Sequence, residues 1–268
     1  MDSKRADFAR RGLNVAAMTY DPPAVLAHFS RRKGITIPLL SDPGSKTIRD
    51  FGILNESIPK DSFAYGVPHP GTYVIDERGI VTAKYFEPDY RDRVTAGSIL
   101  LRQFTSPAGA RVFERKTPRW TLRTFASNDW VFAGSRITLA LEIELGPKMH
   151  LYAPGAQGYI PIQWTAGEAK GWVNFEPSYP PSETLHLRAI GEKAPVYRRK
   201  VRITRDIKAG QTRELRAMAG SGNRLVIEDS LRLQACDDKK CYLPENVPLR
   251  WELTVSPADS TRVPAGVK

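Results

Sequence analysis

Two long runs in the second half of the chain alternate between large apolar residues and smaller or charged ones. Residues 137–145 read ITLALEIEL and residues 247–255 read VPLRWELTV. Because successive side chains of a β-strand point to opposite faces, this period predicts one face in a core and one in water. Glycine and proline separate the apolar segments around these runs. The pattern predicts an antiparallel β-sandwich over residues 120–258.

Residues 1–102 follow a different pattern, in which short helices alternate with short strands. Asp21-Pro22 and Asp42-Pro43 are N-terminal helix signals, and each is followed by an apolar face and then a glycine. The predicted helices are 6–11, 22–34, 42–52 and a last one from about Arg91 to Arg102. The predicted strands are 13–18, 72–76 and 80–86, the last two joined by a hairpin connection. We therefore predict an α/β domain over residues 1–104.

The predicted domains are joined by residues 105–119, which are polar and contain two prolines and a glycine. This composition predicts a linker or a segment that crosses the surface. Residues 259–268 are predicted to be a tail. The start of the chain, MDSKRADFARRG, has no apolar segment, and no window of about 18 apolar residues follows, so neither a signal peptide nor a transmembrane segment is predicted.

The chain is basic, with 40 Lys and Arg against 29 Asp and Glu and a net charge of +11. The densest basic run is Arg198-Arg199-Lys200, followed by Arg202 and Arg205, and it lies inside an apolar alternation. No nucleic-acid-binding motif accompanies it. The charge therefore predicts a surface that attracts anions rather than a nucleic-acid partner.

Cys236 and Cys241 are the only cysteines of the chain, and they flank the polar tetrapeptide Asp-Asp-Lys-Lys. A turn there would bring them within reach of a disulfide. As a structural staple, so short a loop contributes only about 2 kcal/mol. A domain with its own hydrophobic core does not need this disulfide for stability. Because strained or exposed short-loop disulfides are the labile ones, a redox-active pair is favoured.

A metal site that combines the cysteines with a histidine is disfavoured. Structural zinc prefers tighter cysteine pairs with a second matched pair, which the sequence lacks. No metal is predicted, and no cofactor other than a redox-active Cys236–Cys241 disulfide. The histidines that could act as ligands in such a site are His28, His69, His150 and His186.

The first part of the chain resembles the AhpC/TSA-type redoxins, peroxiredoxin-like or TlpA-like proteins of the thioredoxin fold. The resemblance is carried by GLNVAAMTYD at 12–21, ITIPLLSDPGSKTIRDFGILN at 35–55 and VPHPGTYVIDERGIV at 67–81. It implies that Pro70 occupies the position of the fold's cis-proline, opposite the reactive thiol. From spacing alone, Pro68 and Pro70 fit the start of a strand equally well.

The resemblance also implies a strand and a reactive cysteine before Gly12, and residues 1–235 contain no cysteine. We therefore expect the peroxidatic site to be missing and the chain to be the later portion of a longer protein. The absent strand is the central one of the family's sheet, between those matched by 13–19 and 72–76. These two strands are expected to pair directly, to leave a gap or to recruit another chain.

The second part resembles the amino-terminal, immunoglobulin-like domain of the thiol:disulfide interchange protein DsbD. The matching segments are GPKMHLYAPG at 146–155, PVYRRKVRI at 195–203 and LRLQACDDKKCYLPENVPLRWELTV at 231–255. The resemblance implies that Cys236 and Cys241 are the redox pair and that Tyr242 and Pro244 support it. Family members often have one more residue between the cysteines. Their aromatic cap loop corresponds here to residues 187–191, which contain no aromatic residue.

His150 and Tyr152 align with two tyrosines that neighbour the cysteines in that family. A nearby imidazolium would favour the cysteine thiolate, which is the nucleophile. A surface histidine at the end of a strand is an equally good interpretation. Asp237 and Asp238 disfavour the thiolate, and the two lysines after them offset this effect.

Together the resemblances imply a redoxin-family thiol–disulfide oxidoreductase in which Cys236 and Cys241 exchange electrons with a thioredoxin-like or DsbD-type partner. A persistent disulfide places the full-length protein in a bacterial periplasm. The alternative is a non-catalytic, partner-binding β-sandwich fused to a degenerate thioredoxin-like domain. Redox cycling of the cysteines distinguishes the two, and the sequence predicts no oligomeric state.

Overall fold

The computed structural model describes residues 1–87, 92–104, 111–169, 171–187, 191–219 and 222–256. The chain divides into two compact units, with the boundary between Phe104 and Thr105. The predicted limits of the linker and the tail stay predictions, because residues 105–110 and 257–268 lie outside the described residues. Among the described residues, no helix has the length and apolar character that a membrane span requires.

The first unit contains short helices and short strands, as predicted. After a 3₁₀ turn at Asp2–Lys4, the helices are α1 Arg5–Ala9, α2 Pro23–Lys33, α3 Lys46–Asp50 and α4 Ala96–Gln103. The strands are β1 Ala17–Thr19, β2 Leu39–Ser41, β3 Gly71–Ile75, β4 Val81–Phe86 and β5 Arg93–Val94.

Helices α3 and α4 begin later than the sequence signals indicated. Helix α3 begins at Lys46, because the Asp42 carboxylate accepts hydrogen bonds from the backbone N–H groups of Lys46 and Ile48 across an intervening turn. Helix α4 begins after Thr95, whose side chain accepts from the Ser98 N–H, and Arg91 lies outside the described residues. Helix α2 ends at Gly34, which adopts the left-handed conformation that glycine allows at a helix terminus.

Strands β1 and β3 belong to separate sheets. β1 pairs with β2 in parallel, and β3 pairs with β4 in an antiparallel hairpin. Within the described part of the first unit, no strand connects the two sheets. Of the three expected arrangements for the strands matched by 13–19 and 72–76, direct pairing is therefore wrong, and recruitment of another chain stays a prediction. The predicted strand at 13–18 begins only at Ala17.

The second unit is built almost entirely of strands. They are β6 Phe113–Lys116, β7 Trp120–Ala126, β8 Trp130–Val131, β9 Ser135–Leu145, β10 His150–Tyr152, β11 Gln163–Thr165, β12 Trp172–Asn174, β13 Glu183–Leu187, β14 Glu192–Arg198, β15 Lys200–Ala209, β16 Arg224–Leu233, β17 Ala235–Cys236 and β18 Glu245–Val255, with one short helix, α5 Thr212–Met218.

Two sheets of this unit share one large apolar core and form the predicted sandwich. Their strand orders are β12-β15-β9-β7-β6 and β11-β16-β18-β8. A third sheet, in the order β13-β14-β10-β17, carries the first cysteine. The predicted fold class, an α/β part followed by an all-β sandwich, is confirmed.

Part of the predicted linker is a strand. Residues 113–116 form β6, which pairs antiparallel with β7 from Phe113 opposite Thr124 to Lys116 opposite Thr121. The segment is polar because β6 lies at the edge of its sheet and exposes Glu114, Arg115 and Lys116. Polarity alone therefore does not separate an edge strand from a linker.

The two alternating runs differ in burial. In β18 every second residue is buried and the intervening ones face solvent, as predicted. In β9 three residues of the second face, Thr138, Ala140 and Glu142, are buried too, so the prediction of a solvent face is wrong there except at Glu144. Glu142 is only 6 % exposed, with Lys200 Nζ 2.6 Å from its Oε2. Burial raises the pKa of Glu142, but hydrogen bonds and positive charge from Lys200 and Arg202 outweigh this effect. The pKa of Glu142 is therefore below its usual value.

A buried polar network joins the two sheets of the sandwich. Arg205 on β15 lies 3.3 Å from Asp229 Oδ2 on β16, and both residues are buried. Asp229 also accepts hydrogen bonds from the Trp164 indole N–H at 2.7 Å and the Gly167 N–H at 2.8 Å. Arg205 donates to the Trp164 carbonyl at 2.9 Å. Loss of one partner leaves a buried charge uncompensated.

We expect Asp229→Ala to lower the free energy of unfolding of the sandwich by about 3–5 kcal/mol. All five tryptophans lie between residues 120 and 251, so tryptophan fluorescence during urea denaturation of the full chain reports this unit alone. Glu228→Ala is the matched control, because Glu228 is the preceding residue and its contact with Arg250 is exposed. An equal effect of the two substitutions would contradict the role of the network.

Candidate functional site

The two cysteines form a disulfide across a tight turn. Cys236 in β17 and Cys241 face each other as an isolated antiparallel bridge, with their Cα atoms 4.0 Å apart. The Asp237 N–H donates to the Lys240 carbonyl at 2.9 Å. The Asp237 carboxylate accepts from the backbone N–H groups of Lys239 and Lys240 at 2.7 and 2.9 Å. The two backbone hydrogen bonds to the carboxylate are the main cause that lowers the pKa of Asp237. All three bonds stabilise the turn.

The two halves of the disulfide differ in exposure. Cys236 is 1 % exposed and packs in an apolar cluster with Tyr152, Ala194 and Val196. Cys241 is exposed, and it is followed by Leu243, which is 86 % exposed. An external thiol can therefore approach the disulfide from the Cys241 side, while Cys236 is covered by protein.

His150 lies in one cross-strand row with Cys236. It is opposite Cys236 on β17 and opposite Arg198 on β14, and residues opposite each other in antiparallel strands share a face of the sheet. His150 is 5 % exposed, and its Nε2 is buried without a hydrogen-bond partner. Burial is the main cause that lowers the pKa of His150, and the positive charge of Arg198 adds to it. The negative charges of Asp238 and Asp237 oppose this shift. His150 does lie at a strand end, but the alternative interpretation of it as a surface residue is wrong.

An aromatic pair covers the buried side of the disulfide. The Tyr152 ring meets the His150 ring edge-on at 5.4 Å and stacks on the Tyr159 ring at 4.1 Å. Tyr159 donates to Glu192 Oε2 at 2.7 Å, and this bond is the main cause that raises the pKa of Tyr159 to about 12. The sequence gives no signal for Tyr159, because the family resemblance places the aromatic cap at 187–191. Residues 188–190 of that segment lie outside the described residues.

Tyr242 contacts the cysteine turn through Asp237. Its hydroxyl donates to Asp237 Oδ2 at 2.9 Å, which raises the pKa of Tyr242. Its ring lies between two cations, with the Arg119 guanidinium 4.8 Å and the Lys240 ammonium 5.0 Å from the ring centroid. Pro244 is exposed two residues beyond. The predicted site residues of the second unit therefore lie together, except that Pro244 only flanks the turn.

Pro70 belongs to the first unit and directly precedes β3. The described residues contain no cis peptide bond, so the expectation of a cis-proline at this position is wrong. The trans form is the more stable isomer of an X–Pro bond, and it suits the start of a strand.

The described residues contain no group of three or more His, Cys, Asp or Glu side chains suited to a metal ion. Both cysteine sulfurs are bonded to each other. The histidines considered with them in the sequence are dispersed: His28 is in α2, His69 precedes β3, and His186 is exposed in β13.

Comparisons with known proteins match two separate segments of the chain, and the boundary between the two units falls between these segments. Residues 1–84 match the AhpC/TSA family, and residues 123–249 match the N-terminal domain of the thiol:disulfide interchange protein DsbD. A Mycobacterium tuberculosis protein named as a peroxiredoxin is 40 % identical over 80 residues, 30 % of this chain and 50 % of that protein. The chloroplastic peroxiredoxin Q of Populus jackii is 31 % identical over 85 residues, 31 % of this chain and 37 % of that one.

The chain spans about half the length of the curated relatives it matches. Two solved structures are also similar. The N-terminal periplasmic domain of ScsB from Proteus mirabilis is 17 % identical, with a TM-score of 0.34 over 51 % of this chain and 49 % of that one. The reduced N-terminal domain of DsbD from Neisseria meningitidis is 14 % identical, with a TM-score of 0.30 over 43 % and 77 %.

The two matched segments coincide with the two parts that the sequence motifs distinguished, and the disulfide lies inside the second. The chain thus combines a segment similar to the AhpC/TSA family with a β-sandwich similar to the N-terminal domain of DsbD.

Proposed function

We propose that the second unit carries out thiol–disulfide exchange through Cys236 and Cys241 with a thioredoxin-like partner. The observation that carries the proposal is the asymmetric exposure of the disulfide, with Cys241 exposed and Cys236 buried. A structural staple needs no accessible half, whereas exchange requires that one sulfur be open to an in-line attack by a thiolate.

In the direction that reduces the partner, the reduced pair gives up two electrons in two steps. The Cys241 thiolate attacks the partner's disulfide, forms a mixed disulfide and releases one partner thiolate. The Cys236 thiolate then attacks the Cys241 sulfur, closes the Cys236–Cys241 bond and releases the second partner thiolate. Each protein thiol loses one proton, and the partner's two sulfurs leave as a dithiol. The reverse sequence reduces this domain.

His150 is the residue proposed to accept the proton of Cys236. It is opposite Cys236 in the sheet, and its Nε2 is buried without a hydrogen-bond partner. A neutral imidazole is required for this role, and burial of His150 lowers its pKa and so favours the neutral ring. Because Cys236 is shielded from water, no solvent base replaces the imidazole there.

The first unit has no thiol in this chain, since residues 1–235 contain no cysteine. The exchange is therefore assigned to the second unit, and the redoxin-type part of the complete protein is proposed as its electron acceptor. A covalent tether would raise the effective concentration of donor near acceptor. A lasting disulfide needs an oxidising compartment, which supports a bacterial periplasm.

We expect the Cys236–Cys241 disulfide to open and close in the folded protein across a series of dithiol redox poises. Alkylation of free thiols followed by intact-mass measurement gives the reduced fraction, with tryptophan fluorescence confirming that the sandwich stays folded. A pair that stays reduced in air, or stays oxidised under strong dithiol, would contradict exchange and favour the non-catalytic partner-binding alternative.

We expect His150→Gln to slow the closing step by about tenfold at pH 7. When the reduced protein reacts with dithiobis(nitrobenzoate), the first chromophore marks the attack by Cys241. The second marks the intramolecular attack by Cys236, so its rate does not depend on reagent concentration. In the parent protein this second rate should fall as the pH drops through the lowered pKa of His150, and the variant should lose that inflection.

His186→Gln is the matched control, because His186 is an exposed histidine of the same sheet. It should leave the second phase and its pH profile unchanged. If His150→Gln also left them unchanged, His150 would have no part in the proton transfer.

A further inference from the structure

A cationic groove opens beside the disulfide turn. It has a volume of about 570 Å³. It is lined by residues 144–149, from the end of β9 to the start of β10, and by residues 198–200, where β14 ends and β15 begins. Asp238, from the turn that joins the cysteines, lines one side of it. Its basic lining residues are Lys148, Arg198, Arg199 and Lys200.

Most of this positive charge is not neutralised. Among the described residues, Lys148, Arg198 and Arg199 form no ion pair and are exposed. The other charges of the groove are partly paired: Lys200 contacts Glu142, and Glu144 lies 3.5 Å from Arg123. Three free cations beside the single unpaired carboxylate of Asp238 give the groove a positive potential.

The groove is continuous with the redox pair. Arg198 is opposite His150, His150 is opposite Cys236, and Cys236 is bridged to Cys241. Since neighbouring strands lie about 4.8 Å apart, the Arg198 backbone is only about 10 Å from that of Cys236. A partner segment adjacent to a cysteine that reacts at Cys241 can therefore reach the groove, which Asp238 of the cysteine turn lines.

We propose that this groove docks an acidic segment of the redox partner, adjacent to the partner's reactive cysteine. The proposal rests on the exchange function proposed above and adds the chemistry by which the partner is recognised. Complementary charges near the reacting sulfur raise the rate of encounter and favour the correct orientation. The effect should weaken with salt, because the Debye length falls from about 30 Å at 0.01 M to about 8 Å at 0.15 M ionic strength.

The test uses three synthetic cysteine peptides of equal length, with flanking glutamates, serines or lysines, as reductants of the oxidised full chain. Each rate is divided by the rate of the same peptide with hydroxyethyl disulfide, an uncharged reference that corrects for the peptide's own thiol reactivity. At low ionic strength the acidic peptide should react at least about tenfold faster than the basic one, and physiological salt should reduce this ratio.

The test variant is Lys148→Asn combined with Arg199→Asn. Both residues have positive φ angles, 63° and 59°, and asparagine tolerates that conformation better than most residues do. The variant should bring the acidic-to-basic ratio close to one. Arg213→Asn is the control and should keep the ratio of the parent protein. Arg213 follows the end of β15, and this strand separates it from Lys200 by about 30 Å.

The outcomes separate this proposal from the one on which it rests. If neither dithiothreitol nor any peptide opens the disulfide, exchange itself fails. If the serine peptide and dithiothreitol open it but charge makes no difference, the docking proposal is overturned while exchange stands. Saturable inhibition by inorganic phosphate at constant ionic strength would assign the groove to a small anion and would also overturn docking.

Discussion

Strand β10 is hydrogen-bonded to β14 on one side and to β17 on the other, and the arrangement of the site depends on this double pairing. The pairing places His150 between Arg198 and Cys236 on one face and sets Tyr152 beside the same cluster. It buries Cys236 while the following turn carries Cys241 out to solvent. A slip of one residue would move His150 and Tyr152 to the opposite face together.

The features that sequence could predict are those that depend on local patterns. Alternation at 247–255 predicted β18, and the polar tetrapeptide between the cysteines predicted a turn that permits a disulfide. The features that it missed depend on tertiary contacts. Most of the second face of β9 is buried because cations from β15 cover Glu142, and Tyr159 reaches the site from a loop that no periodicity marks. The burial of His150, which decides its protonation, is also a property of three paired strands.

The first unit is an informative contrast to the second. It matches the AhpC/TSA family over residues 1–84, yet its strands β1 and β3 lie in separate sheets, and it contains no cysteine. The second unit holds a large continuous core and a buried ion pair that spans its sheets. The chemistry proposed for this chain accordingly rests on the unit whose packing fixes the positions of its reactive groups.

The most direct test of the account is the reactivity of each cysteine alone. Cys236→Ala leaves the exposed Cys241 and Cys241→Ala leaves the buried Cys236, and mixed-disulfide formation with oxidised glutathione can be followed by intact mass for both. The account predicts that Cys241 reacts at least about tenfold faster than Cys236 while both variants stay folded. Equal rates, or faster reaction at Cys236, would contradict the assignment of Cys241 as the point of entry for electrons.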